Sequence, residues 1–471
     1  MRGKNEKNID IFKNSGYAVA MRARITPHTF SGTVRIPASK SHTIRQLLIA
    51  SLAGGDSEII APLDSLDTRS CADACRAFGA IVTERRTSDP QCPNPPADDG
   101  TRLAAYAVRG NNGFRSGDRH RSIDVGNSGT TLYLALAAAG LGSEPFEFTG
   151  DEQIQRRSAA PLLEALTGLG IRAVSANGNG CAPIIIQGPW KGGRVTLPCP
   201  TSQYLSAILL AAPLAPAGVV TEIDVPLLNE RPYIEMTLSY LDAQGIPWKA
   251  EPDFSRLVIR GGAAWKPFAR SVPGDFSSAA FPACAAAISG GAVTILGLDP
   301  NDLQGDKFFL EILTGMGCTV QWEQIPGKTE APEYRLTVSR SGPLRGGSFD
   351  LNATPDLLPA AAVTAAFAEG DTALVNVAHA RIKETDRIAV MAAELAKLGV
   401  RSTERPDGLI VHGGGMASIT GGSIDGHGDH RIVMAFAAAA LAAKAPVVID
   451  SAESAAVTYP GFLELLQAEY C

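Results

Sequence analysis

Three cations crowd the short stretch Arg381-Ile382-Lys383-Glu384-Thr385-Asp386-Arg387, with the carboxylate of Glu384 among them. Ile388, Met391, Ala392, Leu395 and Leu398 follow at helical spacing and Gly399 supplies a stop, so the spacing predicts that this stretch opens a helix. Lys383 and Arg387 would then project from one face of its first turn. A helix start carries partial positive charge, so each cation there is destabilising by about 0.3–1 kcal/mol. A bound anion would reverse that penalty. A solvated, charged helix entry is the competing explanation, and the rest of the chain has to decide between the two.

Six further polar strings stand at the starts of apolar helical segments. Ser39, Lys40, Ser41 and Arg45 form the first, with two cations inside two turns. Gly126-Asn127-Ser128-Gly129-Thr130 forms the second, where glycines allow a close backbone approach and free N–H groups attract anions. Thr201-Ser202-Gln203 offers three small hydrogen-bonding side chains. Gly274-Asp275-Phe276-Ser277-Ser278 reads equally well as a plain cap. Asp356 follows Pro355, and Asp429-His430-Arg431 places another cation at a helix start. His427, Asp429 and His430 are three possible metal ligands within one turn of chain, a weak spacing, and no metal is expected.

The elements behind these strings repeat. Ser39–Ile60, Asn127–Phe148, Thr201–Ile223, Asp275–Ile295, Asp356–Val375 and Asp429–Ile449 each read as an Ala/Leu-rich helix running into a β-rich segment. A second helix type alternates with them and ends at Gly79, Gly170, Gly245, Gly317 or Gly399, each suited to a left-handed helix end. The Ala/Leu-rich helices are apolar nearly all round, which predicts burial. Their polar starts cannot be buried without partners, so each should open onto shared space. Six such units imply an α/β protein of two domains, three βαβαββ-type units in each, facing each other across a cleft. Residues 1–20 read as a disordered tail, Val34 to Pro37 as a short strand, and residues 84–121 as a mobile, solvent-exposed insertion rich in Pro, Asp and Gly.

Composition narrows the function. The chain has 471 residues, is 45% hydrophobic, and carries a net charge of −6, so it has cores to bury and no general basic surface for nucleic acid or acidic membrane. It has neither an apolar run of spanning length nor a secretory h-region. The eight cysteines are scattered and read as thiols of a reducing cytoplasm. Gly413 to Gly421 is glycine-rich without the strand–GxGxxG–helix setting of a dinucleotide site.

Ser39-Lys40-Ser41 with Arg45, Gly126 to Thr130, Arg381 to Arg387, and Asp429-His430-Arg431, taken together, resemble the enolpyruvyl transferases. Among these the likeness is to the 5-enolpyruvylshikimate-3-phosphate synthases, or 3-phosphoshikimate 1-carboxyvinyltransferases, and spans about Arg22 to Leu466. Ser41 after Lys40, and the lack of a cysteine in a comparable glycine-rich loop, set the chain apart from the transferases acting on UDP-N-acetylglucosamine. The resemblance implies two domains with threefold pseudo-symmetry, here 21–38 plus 273–471 and 39–272, with the site in the cleft between them. It implies addition of the 5-hydroxyl of shikimate 3-phosphate to C2 of phosphoenolpyruvate and loss of phosphate. It implies a cytoplasmic monomer with no cofactor or metal, no nucleic-acid or membrane partner, and glyphosate as a competitor of phosphoenolpyruvate.

Residue by residue, the resemblance gives Asp356 the hydroxyl proton, Glu384 the proton at C3, and Lys40 a place close to both substrates. Lys40, Asn127, Gly129, Arg157, Gln203, Arg387 and Arg431 fall where the family holds phosphoenolpyruvate. Lys40, Ser41, Arg45, Thr201, Ser202, Gln203, Asp356 and Lys383 fall where it holds shikimate 3-phosphate. Such chemistry needs an acid at C3, a base at the hydroxyl, and cations for the phosphates and carboxylates. Four positions depart from the family pattern: Val457 for a lysine, Tyr133 for an arginine, Glu230 for a serine and His379 for an asparagine. The missing lysine implies a weaker hold on phosphoenolpyruvate and on glyphosate. Since cations from both domains are to meet the same anions, the empty protein should repel itself open and close on ligand. Solution scattering is expected to show a smaller radius of gyration with shikimate 3-phosphate; an unchanged radius with binding confirmed would refute that closure.

Overall fold

The computed structural model describes residues 9–13, 21–90, 92, 94, 96–97, 99–112, 121–326, 333–415 and 419–466. The chain divides into two compact units, Ala38–Pro273 and the pair of segments Met1–Pro37 and Gly274–Cys471. In the first of these, Ser39 N donates to Pro273 O at 2.8 Å; in the other, Asp275 N donates to Pro37 O at 2.9 Å. Each unit thus clamps its own two chain crossings with a backbone hydrogen bond.

The unit Ala38–Pro273 contains three four-stranded sheets with one repeated topology. In the clearest copy, strand Arg121–Asp124 leads to helix Gly129–Ala139 and then to strand Phe146–Thr149, which pairs parallel to the first. Helix Ala160–Gly168 follows, then the antiparallel strands Arg172–Ser175 and Ile184–Gln187. Strand Gly193–Thr196, helix Gln203–Ala211 and strand Val220–Asp224 begin the second copy. The third copy uses helix Lys40–Leu52 and strand Gly54–Ile60, and takes its parallel edge strand, Ala269–Ser271, from the far end of the segment.

The other unit repeats the plan around helices Phe276–Ser289, Leu358–Ala366 and His430–Ala440. These three helices pack against one another. Two of its sheets are completed by N-terminal chain: Gly32–Arg35 pairs parallel with Ala292–Leu296, and Met21–Ile25 pairs antiparallel with Val447–Asp450. The expected six α/β units are therefore present, each with its Ala/Leu-rich helix followed by a strand. The helices are buried all round, as their composition requires: every residue from Leu132 to Ala139 is in the core, and so is every residue of Ile432 to Ala440. All five predicted glycine stops have positive φ, from 69° at Gly245 to 99° at Gly79 and Gly317.

Three local expectations are corrected. Within 84–121, Ile81–Thr87 and Arg102–Asn111 are paired strands, and Leu103, Tyr106 and Val108 are buried, so this much of the expected insertion is part of the sheet; residues 91, 93, 95, 98 and 113–120 lie outside the described residues. Proline and charge hid the alternation of strand Arg102–Asn111, whose apolar residues face the helix Lys40–Leu52. Of the supposed tail, Ile9–Lys13 forms a strand antiparallel to Met21–Ile25, while 1–8 and 14–20 lie outside the described residues. The short N-terminal strand is Gly32–Arg35 rather than Val34 to Pro37.

Candidate functional site

In the unit containing Gly274–Cys471, the helix expected from Arg381 begins only at Arg387. The Asp386 side chain accepts from Ala389 N and caps it there, so Lys383 and Glu384 lie on the preceding bend and not on a helical face. Arg381 turns away to Asp386 Oδ2 (2.7 Å) and Glu404 Oε1 (2.8 Å). Arg387 is fully buried, and carboxylates meet its guanidinium on every side. Its Nε donates to Asp429 Oδ2 at 2.8 Å, its Nη1 to Asp356 Oδ1 at 2.7 Å, and its Nη2 to Glu384 and to Asp429 Oδ1. Arg431 Nη2 reaches the other oxygen of Asp356 at 2.8 Å.

The cluster sits where two core helices begin. Asp429 caps helix His430–Ala440 by accepting from Arg431 N, and Asp356 lies in the short 3-10 turn Pro355–Leu357 that leads into helix Leu358–Ala366. Burial works to raise the Asp356 carboxyl, but Arg431, Lys383 and Arg387 override it and hold it well below the usual range. Burial likewise opposes ionisation of Asp429, and Arg387 wins there too. Burial lowers Arg387 while Asp429, Glu384 and Asp356 raise it more, so its charge is secure. Arg431 Nε is buried and, among the described residues, has no acceptor.

In the unit Ala38–Pro273, Ser39 caps helix Lys40–Leu52, and Lys40 Nζ pairs with Asp67 Oδ2 at 3.0 Å. Arg45 points into the interior: Nε donates to Thr237 Oγ1, and the Nη groups to Ser41 O, Ser206 Oγ and Tyr233 O. Burial brings its pKa down to about 10. The glycine string works as a cradle for another cation. Asn127 Oδ1 accepts from Arg157 Nη2 at 3.3 Å, and a Cβ on Gly129 would come within 2.8 Å of Arg157 Nη1. At the start of helix Gln203–Ala211, Thr201 and Ser202 are engaged by Glu230, and the buried Oε1 of Gln203 has no partner among the described residues.

The EPSP synthase family (3-phosphoshikimate 1-carboxyvinyltransferase) matches residues 25–466. The chain is 44% identical over 446 residues to the 3-phosphoshikimate 1-carboxyvinyltransferase of Acetivibrio thermocellus, covering 95% of this chain and 97% of that one. The enzyme of the same name from Ruminiclostridium cellulolyticum is 42% identical over 452 residues, covering 95% and 98%. A solved EPSP synthase structure from Acinetobacter baumannii superposes with a TM-score of 0.75 at 28% identity, covering 94% of this chain and 97% of that one.

This chain belongs to the EPSP synthase family.

Within this family member, the expected site residues separate by unit. Asp356, Lys383, Glu384, Arg387 and Arg431 gather in one, and Lys40, Ser41, Arg45, Asn127, Gly129, Arg157, Thr201, Ser202 and Gln203 belong to the other. The four departures from the family pattern each have a place. Tyr133 packs edge-on against Tyr204, and both hydroxyls donate to Ser158 O. His379 is buried, with Nε2 3.1 Å from Asn352 O. Val457 is half-buried at the end of a 3-10 stretch, Ala452–Val457. Glu230 is buried against Thr201 and Ser202.

Three groups of the site escaped sequence reasoning. Asp67, the partner of Lys40, reads locally as an ordinary first-turn acid of helix Leu66–Ala77. Asp429 stands out in the sequence only as part of the Asp429-His430-Arg431 string, although it anchors Arg387. Asp306 gave no signal: it lies in the 3-10 turn Gly305–Phe308, buried, accepting from Ser277 Oγ, with Oδ1 unpartnered among the described residues. Among the described residues, no group of three or more His, Cys, Asp and Glu could hold a metal; His427 instead pairs with Glu394 at 2.8 Å.

Burial, with the Asp356 carboxylate adding to it, pushes Asp306 up to about 7. The folded protein therefore holds this proton more tightly than the unfolded chain does. The stability it contributes is complete below the ordinary carboxyl value of 3.8 and is lost as pH rises through about 7. Asp306→Asn removes that dependence. Denaturant unfolding is expected to show the variant gaining stability relative to the native chain between about pH 4 and about pH 8. A difference that stays constant across this window would refute the assignment.

Proposed function

We propose that this chain transfers the enolpyruvyl group of phosphoenolpyruvate to the 5-hydroxyl of shikimate 3-phosphate and releases phosphate. The observation that carries the reading, beside family membership, is the cluster in which Arg387 and Arg431 hold Asp356 while Arg387 also holds Glu384.

The reaction asks for what this cluster contains. C2 of an enol phosphate becomes electrophilic only as C3 takes a proton. The 5-hydroxyl oxygen then bonds to C2 as its own proton leaves. In the second half, C3 gives up a proton, the C2–O bond to phosphate breaks, and the double bond returns. Two carboxyl groups beside cations can carry these protons, and we assign the hydroxyl proton to Asp356 and the C3 proton to Glu384. As it stands, Asp356 is a weak base, since Arg431, Lys383 and Arg387 all favour its anion. An incoming carboxylate or phosphate that draws the guanidinium groups to itself would strengthen Asp356 as a base when the substrate is in place. The unpartnered Nε of buried Arg431 is one donor such an anion can meet.

Lys40, Asn127, Gly129, Arg157 and Gln203 are assigned to phosphoenolpyruvate along with Arg387 and Arg431. Ser41, Arg45, Thr201, Ser202 and Lys383 are assigned to shikimate 3-phosphate, with Lys40, Gln203 and Asp356 serving it as well. For Arg45 the role is indirect as the side chain stands. Its guanidinium braces Ser41 O and Ser206, which fixes the first turn of the Lys40 helix. Among the described residues no helix is long and apolar enough to cross a membrane.

The deciding assay is phosphate release from phosphoenolpyruvate by the purified chain with shikimate 3-phosphate; no turnover refutes the reading. In that assay Asp356→Ala and Glu384→Ala are each expected to slow turnover by at least about a hundredfold, the usual scale of lost general acid–base help. Near-normal rates in both variants would remove the two carboxyl groups from the chemistry.

A further inference from the structure

Glu230 is a charge in an unexpected position. Its backbone takes a left-handed conformation with φ 58° immediately before helix Arg231–Ala243, and the residue is 3% exposed. From there the side chain crosses to the start of a different helix, Gln203–Ala211. One oxygen, Oε2, accepts from three donors there: Ser202 N at 2.9 Å, Ser202 Oγ at 2.7 Å and Thr201 Oγ1 at 3.1 Å. A backbone N–H at a helix start with two hydroxyls converging on one oxygen is the way a protein holds an anionic oxygen. Ser202, at the cap position of that helix, makes no side-chain cap bond of its own, so its hydroxyl is free to point at this anion. Glu230 also acts electrostatically on the buried guanidinium of Arg45. A built-in carboxylate therefore fills an anion seat made of residues assigned above to shikimate 3-phosphate.

Such a strained, desolvated placement has a cost. A left-handed conformation is unfavourable for a residue other than glycine, and a buried carboxylate loses its hydration. The three donors offset this, and a competing phosphate would have to displace the carboxylate or accept a like charge beside it.

We propose that Glu230 sets this chain's selectivity for its phosphorylated substrate by competing with the substrate's phosphate for Thr201 and Ser202. The inference rests on the function proposed above and concerns one substrate only. Phosphoenolpyruvate is assigned to groups other than Thr201 and Ser202, so the competition does not reach it. The unphosphorylated alcohol, shikimate, gains relative to its 3-phosphate because the seat already holds its negative charge.

The test is Glu230→Ser, with binding of shikimate 3-phosphate read by calorimetry and turnover read by phosphate release. The dissociation constant and the Michaelis constant for shikimate 3-phosphate are expected to fall by about tenfold, the scale of removing one close like charge. The Michaelis constant for phosphoenolpyruvate is expected to stay unchanged, and the preference for shikimate 3-phosphate over shikimate to rise. If the serine variant folds poorly, Glu230→Gln keeps an acceptor oxygen for Ser202 without the charge and carries the same expectation. Unchanged or weaker binding of shikimate 3-phosphate by a folded variant overturns the proposal and leaves Glu230 a structural brace for the helix start. Equal shifts in both Michaelis constants overturn it as well. Native chain that fails to release phosphate refutes the proposed function instead, and calorimetry then still tests the seat directly.

Discussion

Arg387 is a fully buried guanidinium, and the unit that contains it is arranged to make that tolerable. Stripping a cation of water costs several kcal/mol or more unless opposite charge and hydrogen bonds replace the solvent. Here the replacements are Asp429, Asp356 and Glu384, brought from a helix cap, a 3-10 turn and a bend. Removing one member would leave the rest unbalanced, a loss on the order of 3–5 kcal/mol for a buried pair. The same balance keeps both candidate proton carriers next to cations. Structure and chemistry thus draw on one set of contacts.

The six buried helices explain why this arrangement is reachable. A helix that is apolar all round must be enclosed by its sheet and its neighbours, and its first turn then has to find partners for unpaired N–H groups. Ser39, Ser128, Asp275 and Asp429 supply them as side-chain caps. At helix Gln203–Ala211 no such cap bond forms, and Glu230 reaches across to the N–H of Ser202. At helix Leu358–Ala366 the entry is a 3-10 turn that leaves Asp356 turned toward two arginines.

Sheet closure sets a second constraint. Three of the six sheets are completed by a strand distant in sequence from the rest of the sheet. Ala269–Ser271 completes the sheet of the Lys40 helix, and Gly32–Arg35 that of helix Phe276–Ser289. A parallel partner cannot come from a short hairpin; it is reached through a crossover helix, as from Arg121–Asp124 to Phe146–Thr149, or is supplied by a distant segment. Through Gly32–Arg35 and Met21–Ile25, N-terminal residues belong to the unit formed by the C-terminal half.

The sequence by itself determined the repeat, the burial of the helices and the polar strings at their starts, because periodicity and caps are local properties. It also determined which side chains are candidates for anion chemistry. The tertiary structure alone decided how they are used. Asp386 caps its helix at Ala389, so that Lys383 and Glu384 fall on a bend, where periodicity had extended the helix. Arg387 meets Asp429 across 42 residues of chain and Asp356 across 31, and Glu230 meets Ser202 across 28. Strand Arg102–Asn111, masked by proline and charge around it, needed its pairing with Gly54–Ile60 on one side and Ile81–Thr87 on the other to be seen as core. Contacts between residues so far apart depend on how sheets and helices stack, and no local pattern of residues encodes that.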